Sequence, residues 1–171
     1  MMRRTRRFIA AAFAALAMGA GGSIEAATLR PATAVRADAI TELAVTMKNG
    51  QRVIVRLSDK AVQTPGKSGT EYWGGDDNEV PRQLLDHISV TVGASPAIVP
   101  YSAFADLGDV RFASLVATGT GFELKISGGD TASSYEARLI FRDGFLIEKI
   151  VRLLEMPDER NEIAKYNFPR R

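Results

Sequence analysis

The residues of this sequence best suited to chemistry lie in one glycine-rich stretch. It places the only tryptophan of the chain beside a tyrosine and three carboxylates. An aromatic ring flanked by carboxylates is typical of surfaces that bind the face of a sugar or hold a protein partner. The candidate binding residues of this stretch are Tyr72, Trp73, Asp76, Asp77 and Glu79.

The same residues allow two other interpretations. The three carboxylates are oxygen ligands of the kind that calcium prefers, but they lack the regular D-x-D-x-D-G spacing of a calcium loop, so we predict no metal and no cofactor. Alternatively, Tyr72 and Trp73 fold back and fill one end of the core. We favour this second interpretation, because a single tryptophan in a small β-domain is often buried.

His87 is the only histidine, and any Ser-His-Asp arrangement would have to use it. Ser89 lies two residues away on the same face of a predicted strand, but the sequence has no G-x-S-x-G or comparable nucleophile context. A small cell-envelope hydrolase using His87 with Asp76 and Asp77 is therefore our alternative hypothesis. Asp106, two residues before Gly108, is placed to cap a short helical turn or to reach a cation.

The N-terminal residues predict export to the periplasm or secretion. Four arginines precede an uncharged run of 13 residues, Phe8 to Ala20, and small residues follow up to an A-x-A-like cleavage site after Ala26. The apolar run is too short to cross a bilayer, which needs about 20 residues. Ordinary secretion fits better than twin-arginine export, because Phe8 directly follows the arginine pair.

Charge and composition limit the possible partners. Residues 1–26 hold four arginines and one glutamate, so the remaining 145 residues carry 18 basic and 19 acidic side chains and a net charge of −1. This balance predicts no nucleic-acid partner, because such a partner would need a basic face. We also expect no integral membrane span in the mature chain. The chain has no cysteine, which excludes thiolate chemistry and disulfides.

Alternating apolar and polar residues recur along the rest of the chain, which predicts strands rather than helices. Turn residues every 8–15 positions indicate an all-β fold, an antiparallel β-sandwich or flattened barrel of about eight or nine strands built from hairpins. The predicted organisation is a cleaved signal peptide (1–26), an extended arm (27–39) and a single β-domain (40–171) with a long loop at 58–80.

Two hairpins are predicted, each around a turn that ends in Asx-Gly. We expect a three-residue loop with a bulged glycine in both, because that register separates apolar from charged residues. The expected pairs of the first hairpin are Leu43–Val55, Val45–Val53 and Glu42–Arg56. The expected pairs of the second are Phe141–Phe145, Leu139–Ile147, Tyr135–Val151 and Arg138–Glu148.

These observations favour a non-enzymatic exported protein that binds a protein or glycan partner in the cell envelope. The 58–80 loop and a free sheet edge are the two surfaces we expect it to use. Besides the hydrolase, a third hypothesis is a homo-oligomeric structural or assembly protein. The sequence does not fix the oligomeric state.

Overall fold

The computed structural model describes residues 31–62, 72–75, 80–156, 158 and 161–168. The predicted signal peptide and the candidate residues Asp76, Asp77 and Glu79 lie outside these residues. The described part of the chain is nearly all β, with two short 3₁₀ turns and no α-helix. It contains no helix that is both long and apolar enough to cross a membrane.

Within these described residues, ten strands form two antiparallel sheets. In chain order they are β1 (Thr33–Ala34), β2 (Thr41–Thr46), β3 (Arg52–Ala61), β4 (Gln83–Val92), β5 (Ser95–Ala97), β6 (Val110–Ala117), β7 (Gly121–Gly128), β8 (Tyr135–Arg142), β9 (Phe145–Leu153) and β10 (Asn161–Lys165). One sheet has the order β1-β6-β7-β8-β9-β10, and the other has the order β2-β3-β4-β5. The predicted all-β class is confirmed, and the consecutive strands β6 to β9 form a meander.

The number of strands exceeds the predicted eight or nine because a very short strand, β1, is added. β1 lies in the predicted arm, where Thr33 and Ala34 pair with β6. β5 is three residues long and pairs with the end of β4. The chain forms a 3₁₀ turn at Tyr101–Ala103 that follows Pro100 and has no side-chain cap, so Asp106 does not cap it.

The alternation of apolar and polar residues explains why these segments form strands. On β3, Val53, Val55 and Leu57 are fully buried while the residues between them are more exposed, and β8 repeats the pattern from Tyr135 to Phe141. The buried apolar side chains of both sheets form one cluster. The strand alternation therefore produces a single core that both sheets share.

The first hairpin has the predicted register. Leu43 faces Val55, Val45 faces Val53, and Gly50 closes a three-residue loop with φ of +81°. The Arg56 guanidinium binds the Glu42 carboxylate at 2.8 Å on the exposed face. Sorting apolar from charged residues therefore predicts the pairing of β2 with β3 correctly.

The predicted register of the second hairpin is wrong. Its turn has two residues, Asp143 and Gly144, with φ of +50° and +79°. This geometry is the one that Asp-Gly favours in a tight hairpin. Near the turn Phe141 faces Leu146, and beyond a register shift Leu139 faces Lys149 and Tyr135 faces Leu153.

The physical reason is the β-bulge that lies between these two parts of the ladder. Phe145, Leu146 and Ile147 are three consecutive apolar residues, so an apolar side chain points inward at whichever of the three the parity changes. Leu146 is buried and Phe145 is partly exposed. The expected Arg138–Glu148 pair is also absent, because Arg138 instead binds the Glu123 carboxylate with two hydrogen bonds of 2.8 Å.

Candidate functional site

Trp73 lies inside the domain. Its side chain is 2% exposed, and its ring centroid is 6.2 Å from that of Tyr135. The backbone N–H of Trp73 donates to the carbonyl oxygen of Asp106 at 2.8 Å, and the backbone N–H of Gly108 donates to the carbonyl oxygen of Trp73 at 2.8 Å. This is the position that the core-filling interpretation predicts, and the buried ring face is not available to stack on a ligand.

The chain beside Trp73 packs so closely that it requires glycine. A Cβ atom on Gly74 would lie 2.5 Å from the carbonyl oxygen of Gly108. Tyr72, the other described member of the predicted binding loop, is half-buried. The described part of this loop is therefore built into the domain.

A buried lysine lies at the centre of the cluster that Trp73 joins. Lys149, on β9, has a side chain that is 0% exposed, and its ammonium binds both oxygens of the Asp106 carboxylate at 2.7 and 2.6 Å. It also binds Glu162 Oε1, on β10, at 3.1 Å. The Trp73 Nε1–H donates to the other oxygen of Glu162, Oε2, at 2.9 Å.

Burial and hydrogen bonding move the two carboxylates in opposite directions. Burial raises the pKa of Asp106 and outweighs the two hydrogen bonds from Lys149. Burial also acts to raise the pKa of Glu162, but the bonds from Trp73 and Lys149 outweigh it and leave that pKa below its ordinary value. Burial likewise raises the pKa of Tyr166, whose side chain bonds to Ser102.

Opposed pKa shifts are what separates a proton donor from an acceptor in a carboxylate pair. Here both carboxylates bind one lysine, which compensates a charge that would otherwise be costly to bury. The cluster joins β9, β10, the segment before Gly108 and the segment that holds Trp73. Its clear effect is to fix the edge strand β10 against the rest of the sheet.

His87 lies on β4, where it is exposed and pairs with Ser58. Within the described residues, no carboxylate or hydroxyl group hydrogen-bonds to it. Ser89 faces Arg56. The described residues therefore do not assemble the triad that the hydrolase hypothesis requires.

β10 is an edge strand, since within the described residues only β9 pairs with it. The Tyr166 N–H donates to the carbonyl oxygen of Ile147 at 3.0 Å, so by alternation the backbone groups of Ile163 and Lys165 point to the free edge. The Ile163 side chain is 63% exposed. This edge thus combines backbone hydrogen-bonding groups with an exposed apolar side chain.

A cavity of about 540 Å³ lies among the turns at the other end of the strands. Its lining is rich in hydroxyl and amide groups, with one lysine and one aspartate, above the apolar side chains of Met47, Val92 and Phe122. Phe122 stacks on Phe141 with a centroid distance of 4.5 Å. The charges of this lining balance, so its chemistry fits a neutral polar ligand.

Sequence reasoning singled out Trp73 and Asp106 but missed Lys149 and Glu162. The sequence does contain one indication that Lys149 is buried, because this residue occupies the apolar parity of its strand, between Ile147 and Val151. A lysine at such a position requires a buried counter-charge. No pattern in the sequence shows that Glu162, 13 residues further on, supplies part of it.

No family model, curated protein or solved structure matches this chain.

Proposed function

We propose that this chain is a non-enzymatic domain, exported to the periplasm or secreted, that binds a protein partner by adding a strand of that partner to β10. The observation that carries the proposal is the free edge of β10 with Ile163 exposed at its centre. Strand addition uses main-chain hydrogen bonds for affinity and side-chain contacts for specificity. The N-terminal sequence supports export, and the apolar cluster shared by both sheets supports a sandwich.

The buried cluster favours binding at β10 because it holds the strand in place from within. Glu162 and Ile163 are neighbours on β10, and their side chains point to opposite faces of the sheet. Glu162 is held by Lys149 and Trp73, while Ile163 remains exposed. A strand that is already ordered loses less conformational entropy when a partner pairs with it.

The other edges fit a partner less well. β1 and β5 have only two and three residues. β2 has six, but its exposed face carries the Glu42–Arg56 ion pair. Charges of this kind protect natural edges from pairing. Among the edges of the described sheets, β10 is the one that presents an exposed apolar side chain at the middle of a strand.

Site-specific photocrosslinking tests this proposal. A photoreactive amino acid at position 165 should crosslink to a polypeptide when the chain is exposed to an envelope extract, and protease should degrade the crosslinked partner. Ile163→Pro removes an N–H that points to the free edge and should reduce the crosslink at least tenfold. Ile163→Val keeps both the N–H and an apolar side chain, and it should leave the crosslink unchanged.

Two results would contradict strand addition at β10. One is a crosslink that persists in Ile163→Pro, provided that circular dichroism shows this variant to be folded. The other is a protease-resistant crosslinked product, which would indicate a glycan.

The cavity among the turns supports a second candidate function, the binding of a short neutral glycan. Its volume lies within the range of small-molecule sites, and its hydroxyl and amide groups can exchange hydrogen bonds with sugar hydroxyls. N,N′-Diacetylchitobiose, a neutral disaccharide, titrated into the labelled chain would then shift the amide resonances of residues 47–51 and 118–122. Thr118→Val, which replaces a lining hydroxyl with a methyl, should weaken that binding several-fold. An unchanged spectrum at saturating sugar would exclude this candidate.

A further inference from the structure

The backbone groups on the free edge of β10 are complementary to a second copy of the same strand. We propose that, without another partner, the β10 strands of two chains pair antiparallel about a two-fold axis at Ile163. This inference rests on the proposed function, because both require the edge to accept a strand. It names the occupant as a second copy of this chain and makes the two six-stranded sheets continuous.

The pairing follows from the direction of the hydrogen-bonding groups. Asn161, Ile163 and Lys165 have the same parity, and their N–H and C=O groups point away from β9. With the axis at Ile163, this residue faces its own copy, and Asn161 faces Lys165 of the second copy. Each of the three residues then exchanges both of its backbone bonds. Such a contact is isologous, which is the commonest way for a soluble protein to dimerise.

The side chains select this register over its neighbours. Centring the pair on Ile163 sets no like charges opposite each other, and it buries the two exposed isoleucines side by side. Moving the axis to Glu162 would set two glutamates opposite each other, which is destabilising. Moving it to Ala164 would set Ile163 opposite Lys165 and lose the apolar contact.

The contact is small, so the dimer should be weak and depend on concentration. One edge of five residues buries less surface than a standard protein interface. Two exposed apolar residues lie one strand in from this edge: Phe145, which begins β9, and Leu154, which follows it. A weak dimer would cover the edge in the free protein and still yield to a partner with more contacts.

Disulfide trapping tests the register directly, because the chain has no cysteine of its own. In a hydrogen-bonded antiparallel pair the facing Cα atoms are about 5.5 Å apart, within the range that a disulfide spans. Ile163→Cys in the full chain should therefore give a covalent dimer under mild oxidation. Lys165→Cys should not, because in this register residue 165 faces Asn161 of the second copy and lies too far from residue 165 of that copy to form a disulfide. Ile40→Cys, at another exposed isoleucine, measures dimers that form by random collision.

Sedimentation of the unmodified chain should also show dimers that dissociate on dilution and disappear in Ile163→Pro. The inference is overturned if Ile163→Cys crosslinks no faster than Ile40→Cys, or if Lys165→Cys crosslinks at least as fast as Ile163→Cys. Its failure is distinguishable from that of the proposed function. Partner crosslinking at position 165 without a dimer rejects this inference alone, whereas a dimer with no partner in the extract rejects the proposed function alone.

Discussion

The hairpins β2–β3 and β8–β9 look alike in sequence but follow different rules. Both turn at Asx-Gly, and sorting apolar from charged residues predicts the same bulged loop for both. It succeeds for β2–β3, where the inward-facing residues of the paired region are apolar except for Thr41 at the end of the ladder away from the turn. It fails for β8–β9, where three apolar residues in a row allow a bulge. The comparison shows that apolar pattern fixes a register only when the pattern is unbroken.

The two hairpins also differ in where they place charge. Glu42 and Arg56 form an ion pair with both side chains about half exposed. Lys149 is fully buried and shared by Asp106 and Glu162. Exposed pairs contribute little to stability, whereas removal of one member of a buried pair leaves a charge without compensation. The predictions below test this difference or the electrostatics of the buried cluster.

The largest expected effect comes from Lys149→Met. This change leaves two carboxylates close together without their shared cation, and it should lower the free energy of unfolding by about 3–5 kcal/mol. The matched change in the other hairpin, Arg56→Met, should cost about 0–1 kcal/mol. Urea denaturation at neutral pH measures both. Equal losses in the two variants would remove the distinction between the hairpins.

A smaller effect is expected for Trp73→Phe. It keeps an aromatic ring but removes the N–H that donates to Glu162, and a hydrogen bond to a charged group contributes about 1.5–3 kcal/mol. A double-mutant cycle with Glu162→Gln should therefore show coupling, and a cycle with Glu42→Gln should show none. Absence of coupling in the first cycle would mean that the indole N–H bond adds no stability.

The pH dependence of stability should separate the two buried carboxylates. The lowered pKa of Glu162 means that its contribution is present above its unfolded pKa and is lost as the pH falls through its folded value. The raised pKa of Asp106 has the opposite sign: its contribution is present below its unfolded pKa and is lost as the pH rises through its folded value. Urea midpoints between about pH 3 and pH 7 report both effects.

Glu162→Gln should therefore flatten the loss of stability on acidification, and Asp106→Asn should steepen it. The two substituted residues lie in the same buried cluster, so each variant serves as a control for the other. A change of slope in the same direction for both would contradict the opposed pKa shifts.

The part of the fold that follows from alternation could be predicted from sequence. This part includes the all-β class, the meander from Val110 to Leu153 and the β2–β3 register. The bulge in β9 could not be predicted by comparing uninterrupted registers, because it combines a tight Asp143-Gly144 turn with a change of parity. The strand β1 was not predicted, because two residues carry too little pattern.

The candidate site was less accessible to sequence reasoning. Trp73 stood out as the single tryptophan, but its partner Glu162 is 89 residues away. Lys149 and Asp106 are 43 residues apart. Contacts at such separations depend on the completed sheet order, so composition and spacing cannot show them. The free edge of β10 also became visible only once the sheet order was known.

The central claim is that the buried cluster around Lys149 holds β10 against the sheet, and native-state amide hydrogen exchange in Glu162→Gln tests it most directly. The Tyr166 N–H, bonded to Ile147, reports on β10, and the Met47 N–H, bonded to Gln51, reports on the β2–β3 hairpin. We predict at least tenfold faster exchange of Tyr166 relative to the unsubstituted chain, with Met47 changed less than twofold. Equal acceleration of the two amides, or no acceleration of Tyr166, would contradict the claim.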